Sequence, residues 1–358
     1  MTIYALRISA SVPFELNISN NKISIKTEAG VYQETLFNFD EKLSSLELTE
    51  LIQLSNHTLA KKTDLNTALP IIKCWYLITH EKYFIEDVEL DKYGRIGQSN
   101  LIEEFQLILR VPIADVLRNI LQVKLSAKNK VEFKTYLTCD YDILNIWDIW
   151  GLKTLMKEVL RATIKFEFTN LFHLCYSYLF SRVFKSANGY LNTSMFDLDK
   201  RFTNVAFLIA SPENKEYDGN ICYSNSLVQK FLTELKNKQI HIEVHANYNT
   251  KDKPSQFKRQ ISDFQKLFND VPLKNRHHYL RFIFPEYLDT LEIGGIEQDF
   301  SMYFPESTLF RTGTCSEFRI WNFKKKRPYS TIIIPTTLMD GTFTDYLNCD
   351  LEQAKKLA

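Results

Sequence analysis

Hydrophobic and polar residues follow two different periods along the chain, and the pattern changes near residue 126. Before that point IYALRISA and KISIKTEA alternate every second residue and predict strands. Helical spacing is found in three further segments of this part of the chain: SSLELTELIQLSNHTLAKK, ALPIIKCWYLITHEKYF and PIADVLRNILQVKLSAKN. The polar run DKYGRIG predicts a turn between the last two. We therefore expect residues 1–125 to form a small α+β domain.

From residue 126 onward, predicted strands and helices follow one another. The predicted strands are VEFKTYLTCDYD, NVAFLIAS, IHIEVHA and HYLRFIF, with short strands near STLFRTG and STIIIPTTLMD. The predicted helices are the region from Trp147 to Phe184, SLVQKFLTELKNK, SQFKRQISDFQKLF, FPEYLDTLEIG and the final CDLEQAKKLA. Such alternation indicates an α/β fold with a parallel sheet or a (β/α) barrel over residues 126–358. Barrel chemistry lies at the carboxyl ends of the strands.

Charge and composition exclude several classes of function. The 358 residues include 44 Lys and Arg against 43 Asp and Glu, a net charge of +1. A nucleic-acid binder normally carries a basic surface, so we expect no nucleic-acid partner. No segment reaches the roughly 20 apolar residues of a transmembrane helix, and the first residues lack a secretory signal. The six cysteines are scattered along the chain and are expected to be reduced thiols. These observations together predict a cytoplasmic protein.

Two carboxylates mark the end of the strand VEFKTYLTCDYD. Asp140 and Asp142 flank Tyr141, so strand periodicity places both carboxylates on one face, roughly 7 Å apart. One could ligate a divalent metal while the other reaches a water molecule bound to that metal. The alternative is a solvated turn in which one aspartate caps the next helix.

Two later segments add candidate ligands. In IHIEVHANYNT, alternation puts His241, Glu243 and His245 on one face, with His245 at the carboxyl end of the strand. Such a histidine can also be a structural hydrogen-bonding group. In NRHHYLRFIF, Arg276 and His278 lie two residues apart, on one face of a predicted strand. The alternative is a pair of cations at a helix C-terminus.

Two charged residues near the end of the chain are further candidates. Arg311 precedes a tight Thr-Gly-Thr turn, where it could clamp an anionic or hydroxyl-rich ligand or pair with a core carboxylate. Asp340 ends the predicted strand STIIIPTTLMD, and Gly341 allows a sharp turn after it.

Five of these segments, in this order, resemble the polysaccharide deacetylase superfamily (NodB-like, carbohydrate esterase family four). The closest pattern is that of a bacterial branch with an appended N-terminal domain, and the resemblance covers roughly residues 70–350. The segments are Thr138-Cys139-Asp140-Tyr141-Asp142, Glu243-Val244-His245-Ala246-Asn247-Tyr248, Arg276-His277-His278-Tyr279-Leu280-Arg281 with Asp299-Phe300-Ser301-Met302, Phe310-Arg311-Thr312-Gly313-Thr314-Cys315, and Met339-Asp340-Gly341-Thr342-Phe343.

The resemblance implies a distorted (β/α) barrel preceded by a smaller α+β domain. It implies a divalent metal, with zinc as the first candidate, and removal of an acetyl or formyl group from an amino sugar in bacterial surface polysaccharide biosynthesis. The substrate would be a sugar or saccharide, free or linked to a nucleotide or lipid. The oligomeric state is left open.

The resemblance also implies a role for each matching residue. Asp140 matches the catalytic base, Arg276 the arginine that orients this base, and Asp142 and His245 metal ligands. His278 is the candidate for the third ligand and for the acid that protonates the leaving amine. The implied substrate-binding residues are Asn247, Tyr248, Arg311 and Asp340.

The sequence also departs from the family pattern, and two alternatives are open. The second histidine of the family's metal pair falls at Asn249, Cys139 replaces a histidine, and no histidine follows His278, so the barrel is expected to be cut short at its C-terminal end. One alternative is therefore a non-catalytic carbohydrate-binding pseudoenzyme of the same fold. The other is a metal-independent glycoside hydrolase that uses Asp140 and Glu243 as its paired carboxylates.

Overall fold

The chain divides into two compact units. The computed structural model describes residues 15–19, 22–27, 30–35, 89–101, 103–116, 134–142, 146–169, 171–172, 174–176, 193–214, 216–219, 222–283, 286–322 and 324–357. We call Phe133–His278 the mid-chain unit, and Met1–Glu132 together with Tyr279–Ala358 the terminal unit. The predicted domain boundary between residues 125 and 126 lies outside the described residues.

Three antiparallel strands form the first part of the terminal unit. They are β1 (Glu15–Ser19), β2 (Lys22–Thr27) and β3 (Gly30–Thr35), with β2 paired to both of the others. This confirms the strand predicted at KISIKTEA, as far as Thr27. The strand predicted at IYALRISA and the helices predicted at 44–62 and 68–84 lie outside the described residues.

The segment DKYGRIG forms the predicted turn, in which the Gly94 amide donates to the Asp91 carbonyl over 2.8 Å. A 3₁₀ turn (Gln98–Asn100) and helix α1 (Glu103–Ile108) follow. Residues 113–116 are helical directly after Pro112, as predicted for PIADVLRNILQVKLSAKN. The rest of that predicted helix lies in the part of the chain that is not described.

Four parallel strands form the sheet of the mid-chain unit. They are β4 (Tyr136–Tyr141), β5 (Thr203–Leu208), β6 (His241–Ala246) and β7 (Lys274–His277), and each pairs with the next. The connecting helices are α2 (Ile146–Ile164), α3 (Ser226–Asn237) and α4 (Pro254–Phe268), with a 3₁₀ turn at Ser194–Asp197. The predicted α/β alternation around a parallel sheet is confirmed.

Burial explains why these segments adopt these structures. Residues 205–209 of β5 and its extension are all fully buried, as expected of a strand covered on both faces. Helix α3 buries an apolar stripe at helical spacing, made by Val228, Phe231, Leu232 and Leu235. Helix α4 does the same with Phe257, Ile261, Phe264 and Phe268, and it begins at Pro254 and ends at the left-handed Asn269.

The helical region predicted from Trp147 to Phe184 is interrupted near Phe166, and residues 168–169, 171–172 and 174–176 are helical again. Helix α2 ends at Ile164, and Phe166 adopts a left-handed backbone conformation with φ of 58°. The amide of Glu167 then donates to the Ala162 carbonyl over 2.9 Å, which closes the helix end. Residues 177–184 of the predicted helix lie outside the described residues.

The prediction of a strand at HYLRFIF is wrong. Strand β7 ends at His277, and His278–Leu280 form one 3₁₀ turn in which Tyr279 and Leu280 have positive φ angles of 60° and 54°. The apolar run that suggested a strand reflects burial instead, since Leu280 is 6% exposed and Phe282 is fully buried. His278 therefore directly follows the strand that carries Arg276 and does not share that strand with it.

The rest of the terminal unit contains short elements. They are α5 (Glu286–Gly294), β8 (Gln298–Asp299), β9 (Trp321–Asn322), β10 (Arg327–Pro328), β11 (Ile332–Ile333), a π-helical turn (Thr342–Tyr346) and α6 (Leu351–Leu357). Strands β8 and β11 are parallel, and β9 and β10 are antiparallel. The helices predicted at FPEYLDTLEIG and CDLEQAKKLA are confirmed.

Two strand predictions in this unit need correction. STLFRTG forms turns, because Gly313 has a φ of 59° and its amide donates to the Phe310 carbonyl over 2.7 Å. In STIIIPTTLMD only Ile332–Ile333 is a strand, so Asp340 does not end one but begins a helical turn. Gly341 has ordinary helical angles, with φ of −57°, and the sharp turn predicted there is not formed.

Among the described helices, none combines the length and the apolar character that crossing a membrane requires.

The buried face of α4 predicts a large effect of core truncation. Phe264 is fully buried, so Phe264→Ala should lower the free energy of unfolding by about 3–5 kcal/mol through lost burial and a new cavity. Gln265→Ala, an exposed change on the same helix, should shift it by less than about 0.5 kcal/mol. Urea unfolding checks both values, and equal effects would contradict the assigned helix face.

Candidate metal centre

Three side chains of the mid-chain unit converge at the carboxyl ends of its strands. Asp142 directly follows β4, His245 is the next-to-last residue of β6, and His278 directly follows β7. One ligand atom from each lies within 4.8 Å of the others. We call these residues the three-ligand cluster. All three were predicted as metal ligands, although the 3₁₀ position of His278 was not.

The distances in the cluster fit a divalent cation. His245 Nε2 lies 2.9 Å from Asp142 Oδ1, and His278 Nε2 lies 3.6 Å from Asp142 Oδ2. Zinc bonds of about 2.0–2.2 Å in tetrahedral geometry separate neighbouring ligand atoms by about 3.3 Å. Two imidazoles and one carboxylate are also a donor set typical of catalytic zinc sites.

Hydrogen bonding determines which nitrogen of His245 faces Asp142. Nδ1 lies 2.7 Å from the carbonyl oxygen of Arg276, and a carbonyl only accepts, so Nδ1 carries the proton. In the neutral ring, Nε2 then presents a lone pair to Asp142 Oδ1. Both atoms are buried, and neither makes a hydrogen bond. A carboxylate oxygen and an imidazole lone pair at this distance repel each other unless a positive charge lies between them. A metal ion bound to both atoms would supply that charge.

His278 is held by a second carboxylate. Its Nδ1 lies 3.2 Å from Oδ1 of Asp218, which leaves Nε2 on the side of Asp142. Asp218 is fully buried in the loop between β5 and α3. A carboxylate behind a histidine ligand is a common arrangement in metal sites, because it sets the orientation of the ring.

The charges of the cluster stabilise one another in the metal-free protein. Burial alone would lower the pKa of His278, but the carboxylates of Asp142 and Asp218 outweigh burial and raise this pKa to about 9. Burial would likewise raise the pKa of Asp142, but His278 and His245 outweigh it and hold this pKa well below its ordinary range. The site therefore favours positive charge next to Asp142.

The predicted base, Asp140, lies beside the cluster on the same strand end. Arg276 Nη1 donates to Asp140 Oδ1 over 2.9 Å, and Nη2 donates to Thr138 Oγ1 over 2.8 Å. The guanidinium carbon lies 5.0 Å from the centre of the Phe207 ring. Arg276 is largely buried, whereas the Asp140 side chain retains 27% exposure. The structure thus brings together the two residues predicted as base and orienting arginine.

Two predicted substrate-binding residues lie on the loop after β6. Asn247 is fully buried, and its side-chain nitrogen Nδ2 donates to the Ser211 carbonyl over 3.1 Å. The side chain is therefore engaged by another part of the protein. Tyr248 is half-buried, and its ring stacks on Tyr217 with the centroids 4.1 Å apart. A substrate role of either residue stays a prediction.

The other two predicted substrate-binding residues belong to the terminal unit. Arg311 is 4% exposed, and it donates to the Tyr303 carbonyl over 2.9 Å with its guanidinium 4.9 Å from the centre of the Phe304 ring. Asp340 is exposed and accepts from the amide of Gly341. These contacts are structural ones, and a role in substrate binding stays a prediction for both residues.

Three further residues named from the sequence lie outside the cluster. Cys139 directs its thiol towards the carbonyl of Asp140, over 3.9 Å, and is not part of the group of ligand atoms. Asn249 is half-buried on the loop after β6. Glu243 is buried and accepts from the amides of Leu273 and Lys274 and from the Lys274 ammonium group, so its carboxylate is engaged by neighbouring groups.

Two residues that support the cluster were missed from the sequence. Asp218 could have been noticed as an acidic residue after the buried strand β5, although it belongs to none of the five family motifs. Gln260 is a buried amide on α4, where it donates to the His245 carbonyl over 3.0 Å and accepts from the Asn247 amide over 3.1 Å. It therefore holds the backbone on both sides of the end of β6.

Comparisons with protein-family models, with curated proteins and with solved structures find no match to this chain.

The raised pKa of His278 predicts a pH-dependent stability of the metal-free protein. Because this pKa rises from 6.5 to about 9 on folding, protonated His278 stabilises the fold fully below about pH 6.5, and this contribution is lost as the pH rises through 9. With a chelator present, the difference in free energy of unfolding between wild type and His278→Gln should shrink from pH 6.5 to pH 9. A difference that stays constant over this range would contradict the assigned contacts.

Proposed function

We propose that this protein is a metal-dependent hydrolase that removes an acetyl or formyl group from an amino sugar. The observation that carries the proposal is the buried, unbonded approach of Asp142 Oδ1 and His245 Nε2 beside His278, with Asp140 next to it. The same proposal includes a relationship to the polysaccharide deacetylases, a distorted (β/α) barrel and zinc as the metal. The five sequence motifs support the relationship, and the parallel sheet supports the barrel.

Asp142, His245 and His278 would hold the cation. The Asp142 side chain retains 39% exposure while the histidines retain 1% and 5%, so the aspartate is the most exposed member of the cluster. A site with three protein ligands and one open side is typical of a catalytic metal. When bound, a divalent cation polarises an acyl carbonyl and lowers the pKa of water from about 15.7 towards about 7.

Asp140 is the general base in this proposal. Its partial exposure lets the carboxylate reach a water molecule, and the ion pair with Arg276 keeps the carboxylate oriented. The proton that Asp140 takes from the attacking water then goes to the nitrogen of the substrate as the C–N bond breaks, which gives a carboxylic acid and a free amine. His278 does not serve as this acid, because its Nδ1 faces Asp218 and its Nε2 faces Asp142.

A glycoside hydrolase with Asp140 and Glu243 as the catalytic pair is disfavoured by a specific observation. The Glu243 side chain is only 7% exposed and forms an ion pair with Lys274 over 2.7 Å. A carboxylate held in this way is not placed to act on a substrate. The pseudoenzyme alternative predicts saccharide binding without release of an acyl group, and the experiments below separate it from the hydrolase.

Metal binding tests the ligand assignment. Purified wild-type protein should bind about one equivalent of zinc, and Asp142→Ala should lose at least about 100-fold in affinity, because it removes one of three ligands, a larger change than the 10–100-fold of an outer-shell substitution. Competition with a chromogenic chelator measures the affinity. Equal affinity in both proteins would contradict the site.

Substitution of the base tests the catalytic assignment separately. Asp140→Asn should lower kcat for acetate or formate release by about 10²–10⁴-fold while zinc binding stays at the wild-type level, because the carboxylate moves a proton but does not hold the metal. Product release is measured with N-acetyl and N-formyl amino sugars, both free and nucleotide-linked. Zinc-loaded wild type that binds these sugars but releases no acyl group would support the pseudoenzyme and overturn the hydrolase.

A further inference from the structure

Asp218 joins three loops behind the proposed metal site. Its Oδ1 accepts from the amide of Tyr248 over 2.7 Å and contacts His278 Nδ1 over 3.2 Å. Its Oδ2 accepts from the amides of Glu213 and Asn214 over 3.1 Å and 2.9 Å. One fully buried carboxylate therefore connects the segments that follow β5, β6 and β7.

The contact with Asp218 determines how His278 presents itself to Asp142. An imidazole can offer either nitrogen to a cation, and the other nitrogen needs a partner when the ring is buried. Because Asp218 accepts the Nδ1 proton, Nε2 is the nitrogen on the side of Asp142, 3.6 Å from Oδ2, and it offers its lone pair to a cation that displaces its own proton. The same logic applies to His245, for which the Arg276 carbonyl is the acceptor.

The three amide contacts make Asp218 a firm support for the ring. Each is a hydrogen bond to a charged acceptor, which is stronger than a neutral one. Tyr217 directly precedes Asp218 in the chain, and its ring stacks on that of Tyr248, whose amide donates to Asp218. Backbone amides therefore hold the Asp218 carboxylate in place, and the carboxylate in turn orients the His278 ring.

We propose that Asp218 is the positioning residue that makes His278 Nε2 the third metal ligand, so that metal affinity depends on Asp218 although this residue does not touch the metal. The inference rests on the metal site of the proposed function. It assigns to Asp218 a role that none of the five sequence motifs indicates.

A purely structural role of Asp218, as an acceptor for loop amides, predicts a different outcome. Glu243 provides the matched control, because it is also a buried carboxylate of the mid-chain unit that accepts two backbone amides, those of Leu273 and Lys274. Its described contacts do not include any member of the three-ligand cluster. Glu243→Gln should therefore destabilise the fold without changing the affinity for zinc.

The decisive experiment is a zinc competition titration of the full chain, at a temperature at which every variant is folded by circular dichroism. Asp218→Asn should bind zinc about 10–100-fold more weakly than wild type, whereas Glu243→Gln should stay within about threefold of it. In a double-mutant cycle, Asp218→Asn added to His278→Ala should cause little further loss, since Asp218 acts through His278. The same loss in both backgrounds would overturn the inference.

A measurement on wild-type protein covers the case in which Asp218→Asn does not fold. In the zinc-loaded protein, long-range ¹H–¹⁵N spectra should show His278 protonated at Nδ1 with Nε2 bound to the metal, and the signals are assigned by their loss in His278→Gln. Metal bound through Nδ1 would overturn the inference. Wild type that binds no zinc would defeat the proposed function itself, whereas zinc binding that Asp218→Asn leaves unchanged defeats only the role of Asp218.

Discussion

A carboxylate oxygen and an imidazole lone pair that face each other inside a protein repel each other unless a positive charge lies between them. Asp142 and His245 stand in this relation, with 2.9 Å between Oδ1 and Nε2, because the Arg276 carbonyl holds the proton of His245 on the other nitrogen. In the metal-free protein, protonated His278 places a positive charge beside Asp142, with its Nε2 3.6 Å from Oδ2, but not between Oδ1 and His245 Nε2. A divalent cation bound by all three residues would place the charge between these two atoms.

The parallel sheet places the three-ligand cluster next to the proposed base, Asp140. In the register of β6 and β7, His245 lies opposite Arg276, so the carbonyl of Arg276 orients a ligand while its guanidinium group binds Asp140. One residue thereby links the ligand to the proposed base. Burying a polar group is costly unless it is hydrogen-bonded. Asp218, in the loop after β5, provides a partner for the His278 ring, and Gln260 of helix α4 provides one for the backbone carbonyl of His245.

The regular elements of the mid-chain unit were predictable because each has a clear period. The alternation in β6 and the helical spacing in α4 identify buried faces directly, and the placement of Asp142 and His245 follows from strand ends in a parallel sheet. The turn at His278 was not predictable, because positive φ angles at Tyr279 and Leu280 carry no sequence signal when neither residue is glycine. Asp218 was missed for another reason: its role depends on contacts 30 and 60 residues away along the chain.

Anomalous X-ray diffraction can show whether the three-ligand cluster holds a cation. Data collected on both sides of the zinc absorption edge, from crystals of the wild-type protein grown with zinc, should show one strong peak about 2.0–2.2 Å from an Asp142 carboxylate oxygen and from Nε2 of both His245 and His278. No peak at this position, or a zinc ion bound by other residues while these three remain in direct contact with one another, would contradict the account.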